Sequence, residues 1–468
     1  MKKILYILFS VVLLAGVLSS CSKDSLEPTL AQAKAVEGSI NTVEDVMGLL
    51  YGAYDRITSG SYYGRDYIIW GEVRADNCFS NGNSGRFVAD AKMNYTDASG
   101  LCWASIYQVI ASANIVIGID EASIAGDAAI LAHYKGQAYA IRAMAHFDLL
   151  RYYGQMHNGD AAGLGVPYIT VYKGEDYAPA RNTILECKAM IEADIASAIA
   201  NMNPAYDDDS KELFTHWAAH ALKSRVAIYF GDWATAITAS QAVINSQEYD
   251  IIPEAGFVNF WATDGGVNSI FELAYSGTDN NNINGIQQIY RGSSYGDVEG
   301  LQDLYDAFDV GDVRASAEMI GPDPDPDLIS PKPYTNLGKY PSALFNDNIA
   351  IFRYEEVILN YAEALFRTGD NPGALTQLNL ITANRGAVAH AGTVDEDMIL
   401  LERRRELCFE GMRFHDLMRT GRDIPLPHPL QQTHEGPAYG SYNLAFPIPR
   451  VEMEANANMV QNTGYGVQ

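Results

Sequence analysis

A helical periodicity that recurs along most of the chain is the strongest constraint on the fold. From Thr42 onward, apolar residues three or four positions apart would share one face of a helix, and Thr42-x-x-Asp45 is typical of a capped start. The apolar positions of this helix are Val46, Leu49, Leu50, Ala53, Tyr54 and Ile57. Similar spacing predicts helices over 103–118, 129–153, 183–201, 213–230, 233–247, 351–368, 373–385 and 395–410. Thr183-x-x-Glu186 and Thr393-x-x-Glu396 mark the predicted starts of two of these helices. We therefore expect a mostly α-helical protein.

Two of the predicted helix pairs resemble each other. The segments that begin at Ala227 and Ala364 each place Gly-Asp in the turn, followed by Ala at the same spacing. Glycine ends a helix at little steric cost, and a small residue lets the returning helix pack closely. This pattern resembles the turn of a tetratricopeptide repeat. We expect a tetratricopeptide-like scaffold of helical pairs, with degenerate and interrupted repeats.

Two long insertions interrupt the helical pattern, near 58–100 and 250–345. Both are rich in Gly, Asn, Asp, Ser and Tyr, and the run Pro322–Asp327 cannot lie inside a helix. Long irregular segments on a rigid scaffold usually carry function or are disordered. Their aromatic content favours ordered loops that bind a ligand.

The N-terminus predicts export and a lipid anchor. Lys2 and Lys3 precede a short apolar run, which is typical of a secretory signal over 1–20. Leu18-Ser19-Ser20-Cys21 resembles the lipobox of bacterial lipoproteins, in which the cysteine is lipidated. An ordinary cleaved signal is the alternative. We expect lipidation at Cys21, a tether over 21–40 and a single domain over 41–468.

Charge and cysteine content exclude some classes of function. The formal net charge is -26, which disfavours nucleic acid because binding begins with basic residues that neutralise phosphates. The sequence contains no C-x-x-C pair, so it indicates neither a zinc ribbon nor a thioredoxin-type site. Beyond Cys21, the sequence leaves open a Cys78–Cys102 disulfide or buried free thiols at Cys78, Cys102, Cys187 and Cys408.

Motifs that suggest catalysis have simpler structural explanations. Gly292–Gly296 matches G-x-S-x-G around Ser294, but a nucleophile elbow needs a strand before it and a helix after it in a parallel sheet. His415 beside Asp416 has the composition of a general base, in a segment where arginines and glutamates alternate at helical spacing. We interpret this segment as an ion-paired strut. A pair of catalytic carboxylates among the 58 acidic residues stays open.

Several motifs in order resemble the SusD/RagB family of nutrient-binding surface lipoproteins. "GQAYAIRAMAHFDLLRYYG" with "GVPYIT", "FRYEEVILNYAEALFRTGD", "ERRRELCFEGMRFHDLMR" and "FPIPRVEMEANANMVQNTGY" carry the resemblance, with Thr463 in place of an expected Pro. The resemblance implies a SusD-like helical fold with ligand-binding insertions. It also implies outer-membrane localisation facing the cell exterior, and delivery of a glycan to a SusC-like TonB-dependent barrel. The RagB branch implies peptide capture instead, and a secreted hydrolase is a remote alternative.

Glycan capture needs aromatic faces for stacking and polar groups for the hydroxyls. We expect no catalytic residue, metal or cofactor. The candidate ligand-binding residues lie in the two insertions and are Asp76, Asn77, Phe79, Arg86, Phe87, Trp261, Tyr275, Tyr290 and Tyr295.

Overall fold

The computed structural model describes residues 40–157, 163–173, 177–427 and 437–466. The predicted signal, the anchor at Cys21 and nearly all of the predicted tether lie outside the described residues. The longer helices are α1 Val43–Ile57, α2 Asp66–Val73, α4 Trp103–Ile117, α5 Ala128–Tyr153, α6 Ile184–Asn201, α7 His216–Phe230, α8 Trp233–Ser246, α12 Tyr354–Arg367, α13 Asn371–Ala383 and α14 Glu396–Leu407. The shorter ones are α3 Val88–Ala91, α9 Phe257–Phe260, α10 Ile286–Tyr290, α11 Gln302–Asp306, α15 Arg413–Arg419 and α16 Arg450–Ala455. The predicted mostly helical fold is confirmed.

The two Gly-Asp turns connect α7 to α8 and α12 to α13. Gly231 and Gly369 both adopt the left-handed conformation, with φ of 71° and 94°. Asp232 and Asp370 then cap the returning helices by accepting hydrogen bonds from backbone N–H groups. The pairs pack side by side through α8 and α12, where a small apolar cluster contains Ala227, Ile228, Ala236 and Ala364. The tetratricopeptide-like character of this scaffold stays a prediction.

Two helix starts follow their predicted caps and a third does not. Thr42 with Asp45 and Thr183 with Glu186 form the reciprocal capping boxes predicted. At α14 the predicted start at Thr393 is wrong, because the side chain of Asp395 accepts from Met398 N and caps the helix instead.

The two insertions contain more regular structure than their composition indicates, and they pair with each other. Strand β1, Cys78–Ser80, in the first insertion is antiparallel to β3, Val298–Gly300, in the second. Phe79 lies opposite Glu299. The other strands are β2 Ser269–Leu273, paired with β6 Ile349–Arg353, and β4 Ile320–Gly321, paired with β5 Thr335–Asn336. The pairing of β1 with β3 therefore joins the two insertions directly.

The predicted ion-paired strut lies where α14 and α15 meet the scaffold. Arg314 Nη1 lies 2.6 Å from Glu402 Oε1, and Arg353 Nη2 lies 2.7 Å from Glu410 Oε1. Arg403 pairs with Asp416 at 2.9 Å. All of these side chains are buried except that of Glu410, which is partly buried. The strut holds both insertions to the late helices, since Arg314 belongs to the second insertion and Arg404 hydrogen-bonds Asn77 in the first.

The described cysteines and helices settle two further points. Cys78, Cys102, Cys187 and Cys408 are free thiols in the interior, and burial raises the pKa of each. Within the part of the chain that the structure describes, no helix is both long and apolar enough to cross a membrane.

Candidate functional site

Some of the sequence-predicted site residues lie inside the protein, where other residues occupy their polar groups. The carboxylate of Asp76 receives two hydrogen bonds from Arg413, at 2.6 and 2.8 Å. Burial alone would raise the pKa of Asp76, but the charges of Arg413 and Arg404 outweigh it and lower the pKa. The amide of Asn77 donates to Glu72 and accepts from Arg404. Both side chains act as interior links between the first insertion and the scaffold.

The largest aromatic candidates are also packed into the core. Tyr290 is 1% exposed, and its ring centroid is 5.4 Å from that of Phe409. Trp261 is 8% exposed and lies beneath the side chains of Lys339 and Arg353. Phe79 and Phe87 are buried as well. A sugar ring has little face of these residues to stack on.

Three of the candidates reach the surface, and two of them contact each other across the insertions. The guanidinium of Arg86 lies 3.9 Å above the ring centroid of Tyr295. Arg86 Nη2 also donates to Asn284 Oδ1 at 3.0 Å. Tyr275 is half-buried, and its hydroxyl donates to the backbone oxygen of Thr58 at 2.8 Å.

The loop before Arg86 is fixed to the second insertion by residues that the sequence reasoning missed. Asn83 Nδ2 donates to the backbone oxygens of Ser293 and Tyr295, at 2.8 and 2.5 Å. Ser84 donates through both its backbone and its hydroxyl to Asp297. The only sequence signal for these contacts was the polar run "SNGNSGR" itself.

A polar cleft opens beside this junction, between the end of α1, helix α4 and the second insertion. Its volume is about 430 Å³, within the range of small-ligand sites. Asn281 Nδ2 closes one side by donating to Thr58 O at 2.9 Å. The residues that line this polar cleft are Asp55, Arg56, Thr58, Ser59, Ser105, Gln108, Tyr275, Asp279, Asn280 and Asn281.

The short turn Asn282–Asn284 links the polar cleft to the Arg86–Tyr295 pair, because Asn281 before it lines the cleft and Asn284 accepts a hydrogen bond from Arg86. Arg65 Nη1 holds this turn by donating to Asn284 O at 2.9 Å. The cleft itself presents amides, hydroxyls, carboxylates and the half-buried ring of Tyr275. Such a surface can satisfy a ligand that carries many hydroxyl groups.

Neither catalytic motif has the geometry that its chemistry requires. Ser294 lies in a turn with helix α10 before it and strand β3 after it, the reverse of a nucleophile elbow. Asp416 is occupied by Arg403 and Arg419, at 2.9 and 2.8 Å. His415 is buried against Tyr152, and burial lowers its pKa well below the usual value. These positions fit the structural explanation.

The described residues include no group of three or more His, Cys, Asp or Glu side chains that could hold a metal ion.

Two family models match the chain, one before residue 229 and one after residue 331. Residues 29–228 match a SusD-like model described as "Starch-binding associating with outer membrane", and residues 332–465 match the SusD/RagB model described as "SusD family". The chain belongs to the SusD/RagB family. Residues 229–331, which supply Tyr275 and Asn281 to the polar cleft, lie between the two matched ranges. The family match therefore does not define the composition of this cleft.

Individual relatives agree with the family assignment. SusD-like protein P38 of Formosa agariphila is 26% identical, over 91% of this chain and 93% of that protein. Starch-binding protein SusD of Bacteroides thetaiotaomicron is 32% identical over a shorter stretch, 25% of this chain and 22% of that protein. A solved SusD superfamily structure from Bacteroides thetaiotaomicron has a TM-score of 0.82 at 27% identity, over 90% of this chain and 99% of that one. The SusD-like fold is thus shown over nearly the whole chain.

Proposed function

We propose that this protein captures a glycan in the polar cleft and does not cleave it. The observation that carries the proposal is the lining of this cleft, in which both insertions place hydrogen-bonding groups around the half-buried ring of Tyr275. A pyranose gains free energy by stacking its C–H face on an aromatic ring, provided that its hydroxyls are met by polar groups. Tyr275 supplies a ring inside the cleft, and Asp279 and Asn280 supply polar groups beside it.

Membership in a family described as starch-binding supports a carbohydrate ligand. The cleft is polar, and its charged groups include both signs, Arg56 with Asp55 and Asp279. A charged glycan would meet a group of its own sign there, whereas a neutral glycan would not. We therefore favour neutral oligosaccharides or polysaccharides as ligands.

A binding screen tests this proposal. The full mature chain, solubilised in detergent, is titrated with neutral, amino-sugar and acidic glycans and with a peptide pool, and the products are analysed for cleavage. We expect binding of a neutral glycan without cleavage. Asp279→Ala should weaken it about tenfold or more, because a hydrogen bond to a charged group contributes about 1.5–3 kcal/mol.

Asp209→Ala is the matched control, since Asp209 is exposed and does not line the cleft. Capture of peptides in place of glycans would move the protein to a RagB-like role. Turnover of a polysaccharide or an ester would revive the hydrolase alternative.

We further propose that a lipid at Cys21 holds the protein on the outer membrane, facing the exterior, and that it delivers its ligand to a SusC-like TonB-dependent barrel. The outer-membrane association of the family supports the location. Durable anchoring needs more than one acyl chain, as a bacterial lipoprotein provides. Purification from the outer membrane should recover a barrel protein together with this chain. Cys21→Ala should release the chain from the membrane fraction, and recovery of this chain without any barrel would contradict the partnership.

A further inference from the structure

A second cleft lies on the other side of helix α4, away from the insertion junction. It is formed by α4, the extended segment that follows α5, and the start of α16, and its volume is about 430 Å³. We name it the aromatic cleft. The lining residues that bear on ligand binding are Tyr107, Gln108, Tyr172, Lys173, Tyr177 and Glu452.

Large apolar side chains stand exposed around this cleft. Tyr172 is 60% exposed and Tyr177 is 40% exposed, and Val171 and Val451 beside them are exposed too. Single exposed apolar residues are ordinary, but a cluster of them around one concavity marks a binding surface. The part of the chain that the structure describes leaves these side chains largely uncovered.

The inner wall of the aromatic cleft is held in place before any ligand arrives. Tyr107 donates its hydroxyl proton to Pro167 O at 2.8 Å, and Asn114 Nδ2 donates to Ile169 O at 2.9 Å. Arg142 Nη1 reaches Thr170 O at 3.0 Å while its other nitrogens form a bidentate pair with Asp194. A wall fixed in this way loses little conformational entropy when a ligand binds.

The linings of the two clefts share one residue of helix α4. Gln108 lines both of them, and its neighbours on α4 divide between the two, Ser105 toward the polar cleft and Tyr107 toward the aromatic cleft. The Gln108 side chain is exposed on this ridge. A chain-like ligand that occupied both clefts would pass over Gln108.

We propose that the aromatic cleft is a second saccharide subsite, so that one glycan chain spans both clefts across Gln108. This proposal rests on the proposed function of the polar cleft. Aromatic faces such as Tyr172 and Tyr177 suit the C–H face of a pyranose, and polar groups at the rim suit its hydroxyls.

The charges in the aromatic cleft favour a neutral sugar. Lys173 and Glu452 supply one charge of each sign to its lining. Lys173 Nζ lies 4.7 Å from the ring centroid of Tyr177, and Glu452 accepts a hydrogen bond from Trp103 Nε1 at 3.4 Å. An acidic or basic ligand would meet a like charge here as well as an opposite one, whereas a neutral pyranose meets only hydrogen-bonding partners.

The test compares short and long oligosaccharides on the full mature chain by calorimetric titration. The probes are maltotriose, maltoheptaose and the corresponding β-1,3-linked glucose oligomers. We expect a heptasaccharide to bind at least tenfold more tightly than its trisaccharide, because it occupies both clefts. Tyr172→Ala should weaken the heptasaccharide at least fivefold and leave the trisaccharide unchanged, and Tyr177→Ala should act in the same direction.

Tyr206→Ala is the matched control, since Tyr206 is 38% exposed and lines neither cleft. Thermal unfolding of each variant checks that it is folded. If Asp279→Ala weakens both lengths while Tyr172→Ala weakens neither, the polar cleft stands and the second subsite is overturned. If Tyr172→Ala weakens both lengths and Asp279→Ala neither, the spanning arrangement and the polar cleft both fail. Absence of binding by all four probes, or binding of apolar peptides alone, overturns both sugar assignments.

Discussion

Glu406 lies at the centre of the buried ion network that joins the late helices to the second insertion. Its carboxylate contacts Arg385 at 2.9 Å, Arg353 at 3.1 Å and Arg314 at 3.2 Å. Burial alone would raise the pKa of Glu406, but these arginines outweigh it and hold the pKa well below its usual value. The individual ion pairs were not readable from the sequence, because Arg314, Arg353 and Arg385 come from three distant segments.

Removal of one arginine from this network should be costly. Arg385→Ala leaves Glu406 and Glu355 short of a buried partner, so we expect the free energy of unfolding to fall by about 3–5 kcal/mol. Lys188→Ala, which removes the surface pair with Glu192, should cost about 1 kcal/mol or less. Urea unfolding at neutral pH measures both. Equal losses in the two variants would contradict the account of the network.

Buried histidines should make the protein less stable in mild acid. Burial lowers the pKa of His146 from 6.5 to about 3, and its Nε2 accepts a hydrogen bond from Ile169 N at 2.9 Å. The unfolded chain takes up a proton at this residue below about pH 6.5, whereas the folded chain does not. This contribution to stability is therefore complete above pH 6.5 and is lost as the pH falls toward 3.

His146→Gln keeps a hydrogen-bond acceptor but cannot take up this proton. We expect the variant to be less stable than wild type at pH 7 and to lose less stability between pH 6.5 and 4. Chemical unfolding at several pH values measures the difference, and parallel pH profiles for the two proteins would refute it.

At the scale of elements, the sequence predicted the long helices well because their apolar periodicity and caps are local signals. Helices α4, α5 and α8 begin and end within one residue of their predicted bounds. Helix α2 was not predicted, because every residue from Tyr67 to Val73 is buried and the sequence shows no alternation of a polar with an apolar face. Local patterns also missed the pairing of β1 with β3, whose strands are far apart in the chain.

Two helical glycines offer a matched test of element packing. Gly71 in α2 lies so close to Gly411 that an added Cβ would overlap the backbone of Gly411. Gly48 in α1 is exposed, and nothing lies within 4 Å of an added Cβ. We expect Gly71→Ala to destabilise the protein by about 1–3 kcal/mol or more.

Gly48→Ala should instead stabilise the protein by about 0.5–1 kcal/mol, since alanine is the better helix former. Thermal unfolding of the two variants decides the point. A tolerated alanine at Gly71 would mean that α2 and the turn at Gly411 do not pack as closely as described.

At the scale of the whole molecule, the sequence predicted that the insertions present polar groups more reliably than it predicted which side chains face the solvent. The insertions do form the polar surface expected of them, yet Asp76 and Tyr290 face the scaffold and not the solvent. Composition reveals that a loop is polar and aromatic, but only tertiary packing decides which side chains point outward. For the same reason Gln108, which lies in a predicted helix, was not recognised as a residue that lines both clefts.

The central claim is that the polar cleft beside the junction of the two insertions binds a glycan. Its most direct test is a crystal structure of the protein with the tightest-binding neutral glycan from the screen. The account predicts sugar rings in the polar cleft, within contact distance of Tyr275 and Asp279, and a glycan that continues across Gln108. Ordered sugar on the helical pairs formed by α7, α8, α12 and α13, with the polar cleft empty, would contradict it.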